Sequence, residues 1–345
     1  MDKLNKLVQK IGWPRLIITT FLLLTYTVAP FVGISLKNSL ADTFARFGMN
    51  AILVLSLIPM IESGAGLNFG IPLGIEAGLL GVLLSLELGF TGLLGFTMAI
   101  IMALPFSFLF GWVYGIILNK VKGSEMMIAT YIGFSSVAFM CIMWLILPFK
   151  KPDMIWAYGG SGLRTTISIE KYWKDILNIP FGKISEFIPV GSILFFLLFA
   201  LGIWLFFRTR TGMAISTVGK NNKFANSTGL NIDKSRTQSV ILSTVLAAIG
   251  IIVYQQSFGF VQLYLAPFFM AFPAIAAILI GGASVNRVTI WHAIIGTFLF
   301  QGILTMTPTV FNAIIQTDMS ETVRIIISNG MILYALTRTE GGSRG

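Results

Sequence analysis

The stretch Gly92–Leu118, GLLGFTMAIIMALPFSFLFGWVYGIIL, contains no charged side chain. A helix rises about 1.5 Å per residue, so a segment of this length crosses the roughly 30 Å hydrocarbon core of a bilayer. In lipid every backbone polar group has to be satisfied within the segment, and a helix does this unaided. Similar apolar stretches recur near residues 16–36, 48–63, 70–88, 92–118, 126–147, 188–207, 238–258, 268–285, 290–306 and 321–337. The pattern predicts an all-α integral membrane protein, one polytopic transmembrane domain over residues 1–345, with about ten transmembrane helices. The stretches 48–63 and 70–88 are short and interrupted by Pro59, Gly64, Gly66, Gly70, Pro72 and Gly74. Such residues break helices, and a broken-helix region is expected there.

Composition narrows the function classes. Hydrophobic residues make up 55% of the chain and charged residues 11%, too few charges to cover the surface of a soluble domain. The net charge of +10 sits mainly in short loops between apolar runs, which reads as membrane orientation rather than nucleic-acid binding. Cys141 is the single cysteine and His292 the single histidine, which excludes a disulfide framework and a His-rich metal site. No carboxylate pair, nucleophile–base set or metal spacing is visible. No enzymatic chemistry and no bound cofactor are expected of this chain.

The positive-inside rule gives an orientation. Lys3, Lys6, Lys10 and Arg15, then Lys120, Lys122, Arg208, Arg210, Lys220, Lys223, Lys234 and Arg236, fall on one side of the expected spans. This places both termini in the cytoplasm, in a multi-pass protein of the plasma (inner) membrane whose first apolar run is an uncleaved span. Lys37, Arg46 and a long extracytoplasmic loop, residues 148–187, fall on the other side. That loop contains KYWKDILNIP, whose aromatic and charged mixture predicts a short helix lying on the membrane interface. Glu62 and Glu87 lie near span ends and read as interfacial.

One polar segment stands out in the cytoplasmic loop 208–236: RTRTGMAISTVGKNNKFANSTGLN, Arg208–Asn231. Gly212–Val218 suits a short helix, which Gly219 is expected to interrupt. Asn221 or Asn222 can cap a second short helix by accepting a free backbone N–H, and Gly229 can end it in the left-handed conformation. Two short helices make a compact knob, with Arg210, Lys220 and Lys223 available to acidic groups on a partner. The run GMAISTVGKN is no phosphate-binding loop: that motif needs Ser or Thr directly after its Gly-Lys, where this chain has Asn221, and no strand precedes it.

The order Gly, short helix, VGKN, Ala, GLN in this segment resembles the coupling region of permeases from ABC importers of the ribose, galactose, nucleoside and branched-chain amino-acid group. KGSEMMIATYIGF (Lys122–Phe134) is similar to the family's cytoplasmic turn, and FPAIAAILIGGASVNRVTIWHAIIGTFLFQGI (Phe272–Ile303) to its Gly-Gly turn between two spans. LNFGIPLGIEAGLLG (Leu67–Gly81) is similar to its Gly-rich broken helix, with Asn68 where sugar-type members carry Asp. The resemblance implies a transmembrane permease subunit of an importer for a small hydrophilic solute, a simple sugar or a nucleoside. It implies three kinds of partner: an ABC ATPase subunit or fused tandem ATPase that uses ATP, a second permease, and an extracytoplasmic solute-binding protein. Gly212, Gly219, Lys220, Asn221, Ala225 and Gly229 would form the ATPase contact, with Lys122, Gly123 and Glu125 as a lesser one. Asn68, Glu76 and Gln301 are the candidates for the translocation pathway. A carboxylate within a span is costly unless it faces protein or water, so Glu76 either meets a hydroxyl-bearing solute or bonds backbone groups at the helix break. The alternative is a secondary transporter driven by an ion gradient, for which Glu76 is the one supporting residue.

Overall fold

The computed structural model describes residues 13–156, 162–285, 287–315 and 320–340. Lys3, Lys6 and Lys10 of the orientation argument lie outside them. Helix α1, Trp13–Val28, is followed by α2, Leu36–Leu55, which begins where the Ser35 side chain accepts the Asn38 N–H. A kink at Ser56–Leu57 leads into α3, Ile58–Glu62, with Pro59 in its first turn. Together α2 and α3 form one stretch of 27 residues that is long and apolar enough to cross a membrane. The expected loop around Lys37 and Arg46 is therefore not there. Both residues are helical, because Asp42 and Arg46 stand one turn apart on one face while Ser39, Thr43 and Phe47 bury another.

Helix α4, Ile71–Glu87, is the centre of the molecule, packed by α5, Gly92–Lys120, α6, Glu125–Ile146, and α10, Ile232–Phe258. Apolar all round, it has to be covered on every side, and nearly all its residues are buried. Gly74 and Gly78 make this possible on the α10 side. A Cβ on Gly74 would come within 2.6 Å of the Ala247 Cβ and the Thr244 carbonyl, and one on Gly78 would strike Ile251. Glycines one turn apart let two helix backbones approach closely where bulkier residues hold them apart.

The rest of the chain wraps this centre. Helix α7, Val190–Phe206, bends by 77° into α8, Arg210–Lys220, and α9, Asn222–Ser227, leads on to α10. Helices α11, Ala266–Ile280, α12, Ile290–Ile315, and α13, Ser320–Glu340, pack on one another, and α12 also packs on α1 and α2.

A helix overlaps each of the ten expected stretches. Among the described residues, six helices or helix pairs are long and apolar enough to cross a membrane, and seven if the bent pair α7–α8 counts as one span. The count of ten is not reached by that measure. Helices α4, with 17 residues, and α11, with 15, fall short of it because Gly and Pro interrupt the chain where each begins.

The long loop also differs from expectation. Residues 171–178 form turns, a short 3₁₀ helix starts only at Ile179 and runs to Glu186, and the Trp173 indole is buried, 6.0 Å from the Phe96 ring of α5. Strand β1, Thr166–Ser168, pairs antiparallel with β2, Phe260–Gln262, which directly follows α10. An indole that reaches a protein pocket gains more apolar burial than one lying at a lipid interface. The loop is thus pinned to the helical body.

Candidate functional site

The polar segment folds as the short-helix pair its sequence suggests. Thr209 caps α8 by accepting the Gly212 N–H at 3.2 Å, and Asn221 caps α9 by accepting the Phe224 N–H at 3.0 Å. Gly229, at φ +78°, turns the chain out of α9, and Asn231 caps α10 through the Lys234 N–H. Gly219 does not interrupt its helix. It lies inside α8, which runs on to Lys220.

The role of Gly219 is close approach. A Cβ there would collide with the Glu62 carbonyl oxygen and come within 2.8 Å of the Gly64 N. Gly64 returns the contact from a left-handed turn (φ +71°), its own missing Cβ lying 2.9 Å from the Gly219 Cα. Ala225 is fully buried and Gly212 buried, so two of the residues expected to meet a partner are packed away, and Gly219 faces the Glu62–Gly64 loop. What the knob exposes is Lys220, Asn221, Lys223, Gly229 and two large apolar side chains, Met213 at 52% and Phe224 at 56% exposure.

Glu62 stands at the end of its spanning stretch, where it is held by the knob. Its carboxylate accepts the Ser216 hydroxyl of α8 at 2.6 Å and lies 3.8 Å from the Lys220 ammonium. Glu87, at the far end of α4, accepts the backbone N–H groups of Lys150 and Lys151.

A second set of contacts continues from the same loop. The buried Arg236 guanidinium of α10 donates to the Gly64 carbonyl at 3.0 Å and pairs with Glu125 at 3.0 Å. Glu125 also accepts the Gly123 N–H at 2.8 Å, and exposed Lys122 pairs with Asp233 at 2.6 Å. The turn Lys122–Glu125, the loop Glu62–Gly66 and the knob therefore form one connected unit at one end of the molecule. A cavity of about 380 Å³ lies between the loop and the turn, lined by Gly64, Gly66, Gly123 and Glu125 among others. From the sequence Glu62 reads as interfacial, Gly64 as a helix breaker and Arg236 as an orientation charge, and neither they nor Ser216 are expected in this contact. The one local hint is the run ESGAG at Glu62–Gly66, since glycines so spaced permit backbone contact.

The three pathway candidates are all buried. The Asn68 amide donates to Ser243 at 2.8 Å and its oxygen accepts the Gly70 N–H at 2.9 Å and the Tyr114 hydroxyl at 3.0 Å. This knot fixes the irregular segment that precedes α4. Glu76 is 1% exposed on α4, with one carboxylate oxygen lacking a hydrogen-bond partner. Gln301 is buried on α12.

Three comparisons with known proteins bear on this arrangement. A solved structure, an inward-facing metal-chelate-type ABC transporter, aligns with 93% of this chain and 98% of its own at a TM-score of 0.48 and 13% identity, too slight a likeness to build on. The Autoinducer 2 import system permease protein LsrD of Photorhabdus temperata is 29% identical over 143 residues. That region is 41% of this chain and 40% of the relative, so less than half of either is matched. The family described as "Branched-chain amino acid transport system / permease component" matches residues 39–336, from the first turns of α2 into α13. Its pattern runs through the knob, the Glu62–Gly66 loop and the central helices alike, and the chain belongs to this family of transport-system permease components.

Proposed function

We propose that this chain is the membrane permease of an ATP-binding cassette importer for a small hydrophilic solute, a simple sugar or a nucleoside. The observation that carries the reading is the knob α8–α9. It is polar, exposes Phe224, Met213, Lys220 and Lys223, and is clamped through Gly219 and Glu62 to the loop that leads into the central helix. An external motor that moves the knob also moves that loop, and a permease without nucleotide chemistry of its own needs such a handle. The motor in this reading is a separate ATPase subunit or fused pair, two permease subunits line the path, an extracytoplasmic binding protein delivers the solute, and both termini lie in the cytoplasm. The LsrD relative belongs to an import system, which supports the direction of transport.

Exposed aromatic side chains at the centre of a contact carry a large share of its energy. Phe224→Ala is expected to weaken ATPase docking by about 2 kcal/mol, roughly thirtyfold, and to leave the fold untouched because the ring is exposed. Binding of the co-expressed ATPase to permease in nanodiscs measures this. An unchanged affinity would count against the docking role.

One observation favours a gradient-driven carrier instead, the unpartnered oxygen of Glu76. Glu76→Gln separates the two readings. The importer reading expects uptake to remain ATP-dependent and proton-independent in both forms, with at most a severalfold change in rate. Loss of a proton-driven flux in the variant would favour the carrier.

A further inference from the structure

A groove of about 580 Å³ lies between α3, α7 and the start of α12, at the end of the molecule that carries the knob. Its walls are apolar, and Glu62 is the one charged residue lining it. That carboxylate is already engaged by Ser216 and Lys220. Leu197 and Leu201 line the groove from α7 and are exposed, so it opens on the flank of a helix that carries no charged residue. In a membrane protein such a flank faces hydrocarbon.

Two tryptophans, Trp204 in the last turn of α7 and Trp291 in the first turn of α12, line the groove and are exposed. Exposed Trp at the end of a span marks the level of the lipid headgroups. The Arg208 guanidinium lies over the Trp204 ring, 3.6 Å from its centre. A stacked guanidinium keeps its in-plane N–H donors free, and Arg208 has no carboxylate partner among the described residues. Arg287, which directly precedes the lining residue Val288, is exposed and likewise lacks one among the described residues.

This positive charge is not offset. Glu62, Glu125 and Asp233 of the same end are taken by Lys220, Arg236 and Lys122. The chain ends, residues 1–12 and 338–345, bring Lys3, Lys6, Lys10, Arg338 and Arg344 against Asp2 and Glu340, so by composition they add basic charge.

We propose that this groove binds an anionic phospholipid, with one acyl chain against Leu197 and Leu201 and the phosphate held by Arg208 and Arg287. Such a lipid joins an anionic head to a long apolar tail, as the site joins free guanidinium groups to an apolar groove at headgroup level. Guanidinium forks match phosphate oxygens. A second copy of this chain fits less well, because a two-fold contact would bring both sets of arginines into one interface, and like charges so placed repel. The inference uses the membrane-embedded helices and does not depend on the importer reading.

Native mass spectrometry of the full-length permease tests this with no ATPase present. The protein is delipidated in detergent and titrated with phosphatidylglycerol or with phosphatidylcholine of the same acyl chains. The first phosphatidylglycerol is expected to bind about tenfold more tightly than the first phosphatidylcholine. Arg208→Gln is expected to cut that preference about fivefold, the effect of one cation beside a headgroup. Lys171→Gln, an exposed change at the opposite end, is expected to leave it intact. Leu201→Trp fills the groove and is expected to weaken binding of the first lipid of either kind, with an unchanged melting temperature because Leu201 is exposed. Glycerol 3-phosphate, a headgroup without tails, is expected not to displace the lipid. Equal affinity for the two lipids, a preference unchanged by Arg208→Gln or reduced as much by Lys171→Gln, or displacement by glycerol 3-phosphate would overturn the proposal. A lipid-free dimer that Leu201→Trp splits would also overturn it, by giving the groove to a second copy.

Discussion

Replacing Gly219 with leucine is expected to stop ATP-driven uptake without stopping membrane insertion. Even one added methyl group collides with the Glu62 carbonyl, and neither side can yield easily because both are backbone. Overpacking costs about 1–3 kcal/mol, and α8 can relieve it only by lifting away from the Glu62–Gly66 loop. At a contact that has to stay closed throughout the cycle, that cost corresponds to roughly a fivefold to 150-fold loss of coupled transport. The central helices do not depend on this contact, so the size-exclusion profile and thermal midpoint of the purified protein should change little. Uptake in proteoliposomes containing the ATPase measures the effect. Normal uptake by Gly219→Leu would mean that the loop and the knob move independently.

Arg236→Ala acts on stability. The guanidinium is buried and holds both the Gly64 carbonyl and the partly buried Glu125 carboxylate. Removing one member of a buried ion pair costs about 3–5 kcal/mol, and about 2–3 kcal/mol is expected here because the stranded Glu125 keeps some access to water. The variant is expected to unfold at a markedly lower temperature in detergent, followed by the tryptophan fluorescence. Arg236→Ala combined with Glu125→Ala should recover much of the loss, because no stranded carboxylate remains. The Lys122–Asp233 pair nearby is exposed on both sides. Lys122→Ala should therefore cost no more than about 1 kcal/mol.

Local features were legible in the sequence. The apolar stretches mark where helices form, Asn221 caps the second short helix, and Gly229 ends it, since each depends on chemistry within a few residues. The features that define the site are long-range. Ser216 and Glu62 are 154 positions apart, and Arg236 and Gly64 are 172 apart, so nothing near Glu62 distinguishes a clamped carboxylate from one at a membrane surface. Gly219 was misplaced for a related reason. A glycine that ends a helix and one that admits a neighbouring backbone look alike until the neighbour is known. Arg46 reads as a loop residue only because charges usually bound apolar runs. Within α2 it stands one turn from Asp42, and both line a space of about 500 Å³ that four helices build together. Trp173 likewise seemed suited to an interface until the Phe96 ring supplied a place for it.

Helix α10 is held at both extremities. Arg236 fastens its first turns to the loop and turn beside the knob, and at its other end β2 hydrogen-bonds to β1 in the long loop. A rod fastened in this way cannot slide or tilt at one surface while staying still at the other, unless it breaks the ion pair or the strand ladder. The helix is therefore a connecting strut between the two faces, and any displacement imposed beneath it has to reappear, some 40 Å away, where β1 meets β2.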